Sequence, residues 1–260
     1  MPRYIIEFSF DGSGYCGWQF QPDSKTIQQT LQEALGMLLH ANVELTGCGR
    51  TDTGVHALYY AAHFDCDADI QENTLTERLN RLLKQEFCVF SVQQVAEAFH
   101  ARFNALRREY TYYICNGKTP FFSKYSWEYH QKLDLQLMND AAGLLIGKKN
   151  FGSFCKLHSN NKTNICEVYV AEWRCFGMFY VFTISADRFL RNMVRAIVGT
   201  LVDVGRGRTS VDEFRTILAA ENRCASGQSV PARGLFLTDV TYPDGDFIVH
   251  KGPSLPLLLL

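Results

Sequence analysis

Eleven residues, Gly47-Cys-Gly-Arg-Thr-Asp-Thr-Gly-Val-His-Ala57, place one cation, Arg50, and one carboxylate, Asp52, between glycines at 47, 49 and 54. Glycine permits positive φ and the close approach of a second backbone, so the stretch reads as a tight loop holding an acid where something bulky can reach it. Asp and Gly also make ordinary turns, and the tripeptide Asp52-Thr-Gly54 alone is compatible with no more than that. A second concentration of charge lies at 188–208, where five arginines stand against Asp203. Arg188, Arg191 and Arg195 are spaced i, i+3, i+7 on an expected helix over 189–204, beside an apolar arc of Leu190, Met193, Val194, Ile197 and Leu201. That stripe is either a solvated basic face or the source of one guanidinium for a carboxylate. Arginine suits the second role because it stays charged and forks onto carboxylate or phosphate.

Strands and helices must deliver these groups. The run 4–10 reads as a strand ending at Asp11-Gly12, followed by a polar loop containing Gly17-Trp18-Gln19. Thr26-Ile-Gln-Gln29 has capping-box form, and Ile27, Leu31, Ala34, Leu35 and Leu38 then mark one helical face. A short strand at 43–46 leads into the Asp52 loop and another at 58–64 leads out. Thr74 is expected to cap a second helix with the stripe Leu75, Leu79, Leu82 and Leu83, and 88–95 closes the half as a strand. The order then recurs: a strand at 109–115, a helix capped by Asp134, strands at 165–173 and 179–185 joined near Gly177, the arginine helix, a helical segment at 212–220 and a strand at 235–241. The expected class is α+β: two ferredoxin-like (RRM-like) βαββαβ halves, 1–103 and 104–260. Their mainly antiparallel sheets are expected to join into one central sheet, with helices on one face and an active-site cleft on the other.

A chain of 260 residues buries roughly 70–75% of its unfolded surface and needs no staples. Its 47% apolar and 20% charged composition is that of a globular protein. Net charge is −1, which excludes a general nucleic-acid coat, so any RNA binding must come from a local basic surface. The charge does segregate, with seven acids against three bases at 65–97. Nine dispersed cysteines without a CxxC pair argue against a disulfide framework and against zinc, and fit a reducing cytoplasm. The N-terminus has no signal-peptide core, and the tail Leu255-Pro-Leu-Leu-Leu-Leu260 is far short of a membrane span, reading as a packed or frayed end. Gly205-Arg-Gly-Arg208 lacks the third glycine and the preceding strand of a dinucleotide site.

Taken together, these stretches resemble the tRNA pseudouridine synthase A family over nearly the whole chain. The motifs are Phe10-Asp-Gly-Ser-Gly-Tyr15, Gly17-Trp-Gln-Phe-Gln-Pro22, Gly49-Arg-Thr-Asp-Thr-Gly-Val-His-Ala57, Phe99-His-Ala-Arg-Phe103, Tyr110-Thr-Tyr112, Phe151-Gly-Ser-Phe154, the run from Phe189 to Gly199, and Gly234-Leu-Phe-Leu237. The resemblance implies that Asp52 is the catalytic aspartate, that Arg50 fills the place of the extruded base, that Tyr110 stacks on the flipped uracil, and that Arg195 pairs with the aspartate. It implies action on uridines 38, 39 and 40 of the tRNA anticodon stem-loop by a cytoplasmic homodimer, with no cofactor, metal or membrane. Thr53 stands where the family commonly has alanine, and residues 161–166 lack the arginine usual near that strand.

Isomerising uridine breaks the N1–C1′ bond, turns the uracil and rejoins it through C5. Positive charge developing at C1′ asks for an ionised carboxylate nearby, which Arg195 would help keep anionic. The carboxylate either attacks C1′ or removes the C2′ proton. The uridine must first leave its stack, at a cost of a few kcal/mol. Aromatic stacking at about 1–3 kcal/mol per base offsets part of that. Arg102 and Arg107, with His100, Arg108 and Lys118, surround the Tyr110 strand as candidates for phosphate contacts, as do Arg188 and Arg191. Trp18 and His56 read as packing residues. Two rivals fit less well: an aspartic protease needs a second Asp-Thr-Gly, and an RRM binder needs an aromatic motif that is absent.

Overall fold

Period-two runs of Ile, Phe, Tyr and Val form the principal strands, and three of the five α-helices open on a side chain that takes up a free N–H. A computed structural model describes residues 1–157 and 161–252. The leucine-rich tail at 255–260 lies outside the described residues. The chain divides into two compact units: Met1–Leu106 with residues 237–252, and Arg107–Phe236.

The first unit runs β1 (Arg3–Phe10), α1 (Ile27–Leu39), β2 (Thr46–Gly47), β3 (His56–Asp65), α2 (Glu72–Leu82) and β4 (Phe87–Val95). β1 pairs antiparallel with β3 and β4, and β2 pairs antiparallel with β3. The order β4-β1-β3-β2 is that of a split βαβ unit. Thr26 caps α1 by accepting the Gln29 N–H, but the Gln29 side chain turns forward to Glu33, so the expected box is half made. The strand expected at 43–46 shrinks to Thr46–Gly47. α2 starts at Glu72, two residues before the expected cap at Thr74. The Glu72 carboxylate accepts the Gln94 N–H from β4 (2.6 Å), and that tertiary bond fixes the helix start.

The second unit runs β5 (Arg107–Asn116), β6 (Trp127–Tyr129), α3 (Leu135–Gly143), β7 (Gly147–Asn150), β8 (Ile165–Phe176), β9 (Phe179–Ala186), α4 (Met193–Gly205) and α5 (Val211–Ala219). β10 (Leu235–Thr241) starts in this unit and ends in the first. The antiparallel order β5-β9-β8 repeats β1-β3-β2, with β7 added beyond β8 and β6 lying parallel to β5. The architecture is α+β, as the element order predicts. No helix among the described residues is long and apolar enough to cross a membrane.

The arginine helix departs most from expectation. It begins at Met193, because Asn192 sits in the left-handed region (φ +64°) and Met193 N–H bonds back to the Leu190 carbonyl in a turn. Arg188 and Arg191 therefore precede the helix and share no helical stripe with Arg195. Of its 13 residues, all but Arg195 and Asp203 are buried, so α4 is a core helix with no solvated basic face.

Candidate active site

Asp52 lies between β2 and β3 on a loop stitched to the segment after β1. Trp18 N–H donates to the Thr51 carbonyl (3.2 Å), Gly54 N–H to the Tyr15 carbonyl (3.3 Å), and Val55 N–H to the Asp52 carbonyl (3.2 Å). The last bond closes a tight turn that needs Gly54 at φ +76°. The contact admits no Cβ: one at Gly17 (φ +84°) would run into the Thr51 carbonyl oxygen, and one at Gly12 into that of Val55. Beneath the loop lies an aromatic floor. Trp18 stacks on Tyr60 with ring centroids 4.5 Å apart, and the Tyr60 hydroxyl donates to the Gly49 carbonyl. Trp18 is thus a packing residue, as expected. Asp52 is half-buried and Arg50 exposed on this frame.

His56 closes the loop's far end. Its Nδ1 lies 3.0 Å from Asp11 Oδ1 and 3.1 Å from the Gly12 amide nitrogen. That nitrogen serves one of them at a time, and a bare lone pair facing an anionic oxygen would be repelled, so we assign the proton to Nδ1, donating to Asp11. This bond holds the Asp11 carboxyl well below the usual carboxylate range, against the opposing effect of its partial burial. Sequence reading took His56 as structural but missed Asp11 as its partner. The signal available was Asp11-Gly12 ending a strand.

In the second unit Tyr110 sits on β5 opposite Ile184 of β9, half-buried, its ring edge-on to Phe189 (centroids 5.1 Å, 90°). Tyr110 thereby meets the 187–192 segment, where the Arg188 N–H donates to Asp187 (2.7 Å) and exposed Arg191 accepts the Lys156 N–H on its carbonyl. Tyr112, two residues on and so on the same strand face, donates its hydroxyl to the Pro231 carbonyl (2.8 Å). Burial pushes that phenol far up, with Arg195 and Arg233 opposing. Arg195, in the first turn of α4, donates Nε to the neighbouring Val230 carbonyl (2.8 Å).

The strap at 227–231 that receives both groups was not legible in the sequence, having no periodicity. It lies along α4: Gly227 N–H donates to Thr200 Oγ1 (2.9 Å), Asn192 Nδ2 to Ser229 Oγ (2.6 Å), and Val230 N–H to the Arg195 carbonyl (3.2 Å). A Cβ on Gly199 would occupy the place of the Gln228 carbonyl oxygen. Of the remaining cations, Arg107 pairs with Glu109 (3.4 Å) and lies 5.9 Å from the Tyr169 ring centre. Arg102 is exposed in the first unit, 5.8 Å from the Phe103 ring centre.

A family model described as tRNA pseudouridine synthase matches residues 7–104 and 141–243, which include Asp52 and Arg195. The chain is 49% identical to tRNA pseudouridine synthase A of Bacteroides fragilis, over 94% of this chain and 98% of that one. It is 45% identical to tRNA pseudouridine synthase A of Azobacteroides pseudotrichonymphae, over 95% and 99% of the two chains. With the protein of that name from Francisella tularensis it shares 36% identity over 95% and 96%. Among solved structures, a chain of a Cbf5-Nop10-Gar1 complex aligns with 77% of this chain and 54% of its own, at 14% identity and a TM-score of 0.31.

Proposed function

Since the chain belongs to the tRNA pseudouridine synthase family, we propose that it isomerises uridines 38, 39 and 40 of the tRNA anticodon stem-loop to pseudouridine with Asp52 as the catalytic carboxylate. The observation that carries the reading is the family match spanning a half-buried carboxylate whose loop is braced by two glycines that tolerate no side chain. A loop so braced fixes the backbone that carries the carboxylate before substrate arrives, and preorganised charge is what stabilises an electron-poor C1′.

The target uridine leaves its stack, Arg50 occupies the gap, and the uracil packs against Tyr110. The N1–C1′ bond then breaks with its electron pair going to N1. Asp52 either bonds to C1′ or takes the C2′ proton to leave a glycal. The uracil turns and C5 bonds to C1′ as the Asp52–C1′ bond breaks or, from the glycal, as Asp52 returns its proton to C2′. The C5 proton then leaves to the Tyr110 hydroxyl, which passes its own proton to solvent, and N1 gains a proton. Arg195 is assigned the role of guanidinium partner to the catalytic carboxylate. Arg102, Arg107, Arg188 and Arg191 contribute phosphate contacts. The enzyme works as a cytoplasmic homodimer without cofactor or metal.

The test is a tRNA transcript carrying tritium at uridine C5, followed by pseudouridine mapping. Wild type releases tritium and marks positions 38 to 40. Asp52→Asn binds the transcript but releases none. Turnover by Asp52→Asn at a wild-type rate would remove the aspartate from the mechanism. Pseudouridine elsewhere in the tRNA would correct the target. Light scattering at twice the 29.6 kDa chain mass is expected.

A further inference from the structure

We infer that Phe103, outside the residues assigned to the catalytic step, is a preformed stacking platform for an unpaired base of the tRNA substrate, with Arg102 beside it for the adjoining phosphate. The inference rests on the tRNA reading above and adds a second base-binding position to it.

Phe103 is 75% exposed while its neighbours at 99, 101 and 105 are buried. Single exposed apolar side chains are common and need no explanation. This one is held rigidly from below. Its ring lies on His100 with centroids 4.2 Å apart, and His100 in turn contacts His63 at 4.7 Å. The backbone is tied as firmly. Phe103 and Asn104 N–H both donate to the His100 carbonyl (3.1 and 2.9 Å), Arg102 N–H to His100 Nδ1 (3.2 Å), and His100 N–H to the Asn104 side chain (3.1 Å). Ala101 anchors the turn in the core, donating to His63 Nδ1 (3.1 Å) and accepting from the Tyr242 hydroxyl (2.7 Å). Such a turn has already lost the conformational freedom that ordering on binding would otherwise cost.

The chemistry above the ring selects the ligand. One face of Phe103 is covered by an imidazole, and the exposed Arg102 guanidinium lies over the ring with its carbon 5.8 Å from the centroid. Burial, with Arg3 and Arg102 nearby, pushes His100 down, and His63 falls to about 4 for the same leading cause, so both rings stay neutral and aromatic at physiological pH. A flat π face next to a cation fits a nucleobase with its phosphate.

The test compares Phe103→Ala, Phe103→Leu and Phe103→Trp in tritium release from a full-length tRNA transcript at fixed salt, with KM and kcat read separately and oligomer mass recorded. A lost base stack of about 1.4 kcal/mol is tenfold. Phe103→Ala and Phe103→Leu are expected to raise KM about tenfold, and Phe103→Trp to stay within twofold of wild type. Leucine retaining the wild-type KM would mean mere packing and overturn the platform. So would an unchanged KM for alanine, or a drop in oligomer mass with tRNA affinity intact, which would make Phe103 a contact between copies. Failure of the wild type itself to release tritium would sink the parent reading instead.

Discussion

Arg195 and Val230 hold one another by two hydrogen bonds: the Val230 N–H donates to the Arg195 carbonyl (3.2 Å), and the Arg195 Nε donates back to the Val230 carbonyl (2.8 Å). With Nε committed, the plane of the guanidinium is set by the strap, not by rotamer choice. A lysine at 195 keeps the charge but has no Nε and no fork. Arg195→Lys is expected to lower single-turnover tritium release about 100-fold, the scale for losing one preorganised donor. A rate within threefold of wild type would show that charge alone suffices.

Gly199 lets the strap lie on α4. In an open helix, Gly→Ala stabilises by roughly 1 kcal/mol. Here the methyl would take the place of the Gln228 carbonyl oxygen, and overpacking of that kind costs about 1–3 kcal/mol. The steric term wins, so Gly199→Ala is expected to lower the urea midpoint and slow turnover together. A raised midpoint would count against a tightly seated strap.

Gly17 and Gly14 make a matched pair. Gly17 has φ +84° and faces the Thr51 carbonyl, whereas a Cβ on Gly14 meets nothing within 4 Å. Gly17→Ala should cost about 1–3 kcal/mol of stability and reduce kcat at least tenfold by shifting Asp52. Gly14→Ala should change neither. Equal behaviour of the two variants in urea melts and tritium release would remove the bracing argument.

Tyr110 combines a ring and a hydroxyl, which two variants separate. Tyr110→Phe keeps the edge contact with Phe189 and the stacking face; Tyr110→Ala loses both. If the hydroxyl accepts the C5 proton, Tyr110→Phe binds tRNA within about twofold of wild type while kcat drops at least 100-fold, the lower end for a general base. Tyr110→Ala additionally weakens binding by about 1–3 kcal/mol. Filter binding and single-turnover rates together decide it.

Glu7 is a fully buried carboxylate in β1. It accepts from Tyr59 (2.7 Å), Ser91 (2.5 Å), Gln93 (3.1 Å) and the His250 N–H (3.0 Å). Burial raises its pKa above the ordinary 4.5, and the hydrogen bonds from Ser91, Tyr59 and His250 only partly oppose this. The folded state therefore holds the proton more tightly than the unfolded chain. Its contribution is complete below the unfolded value and is lost as pH rises through the raised folded one. Glu7→Gln lacks that titration, so its melting temperature minus that of wild type should become more positive as pH climbs from 4 to 7. A difference independent of pH would refute the assignment.

Local patterns made much of the chain legible. Gly54 can adopt a positive φ that other residues resist, Asp134 caps α3 by its own side chain, and the run Leu235-Phe-Leu-Thr-Asp-Val-Thr241 forms β10 at those bounds. The resemblance of the motifs to the family singled out Asp52, Tyr110 and Arg195 as candidates. Distant contacts decided the rest. The left-handed turn at Asn192 is held by Ser229, 37 residues away, and it detached Arg188 and Arg191 from the helix that periodicity assigned them. The strap at 227–231 has no regular structure, so its place comes only from the grooves and polar groups that α4 offers. Nothing local marks Glu7 as buried; β3, β4 and the chain at His250 bring its donors to it. Propensity and spacing act over a few residues and are written in the sequence; these pairings span tens to hundreds of residues and exist only once the chain has packed.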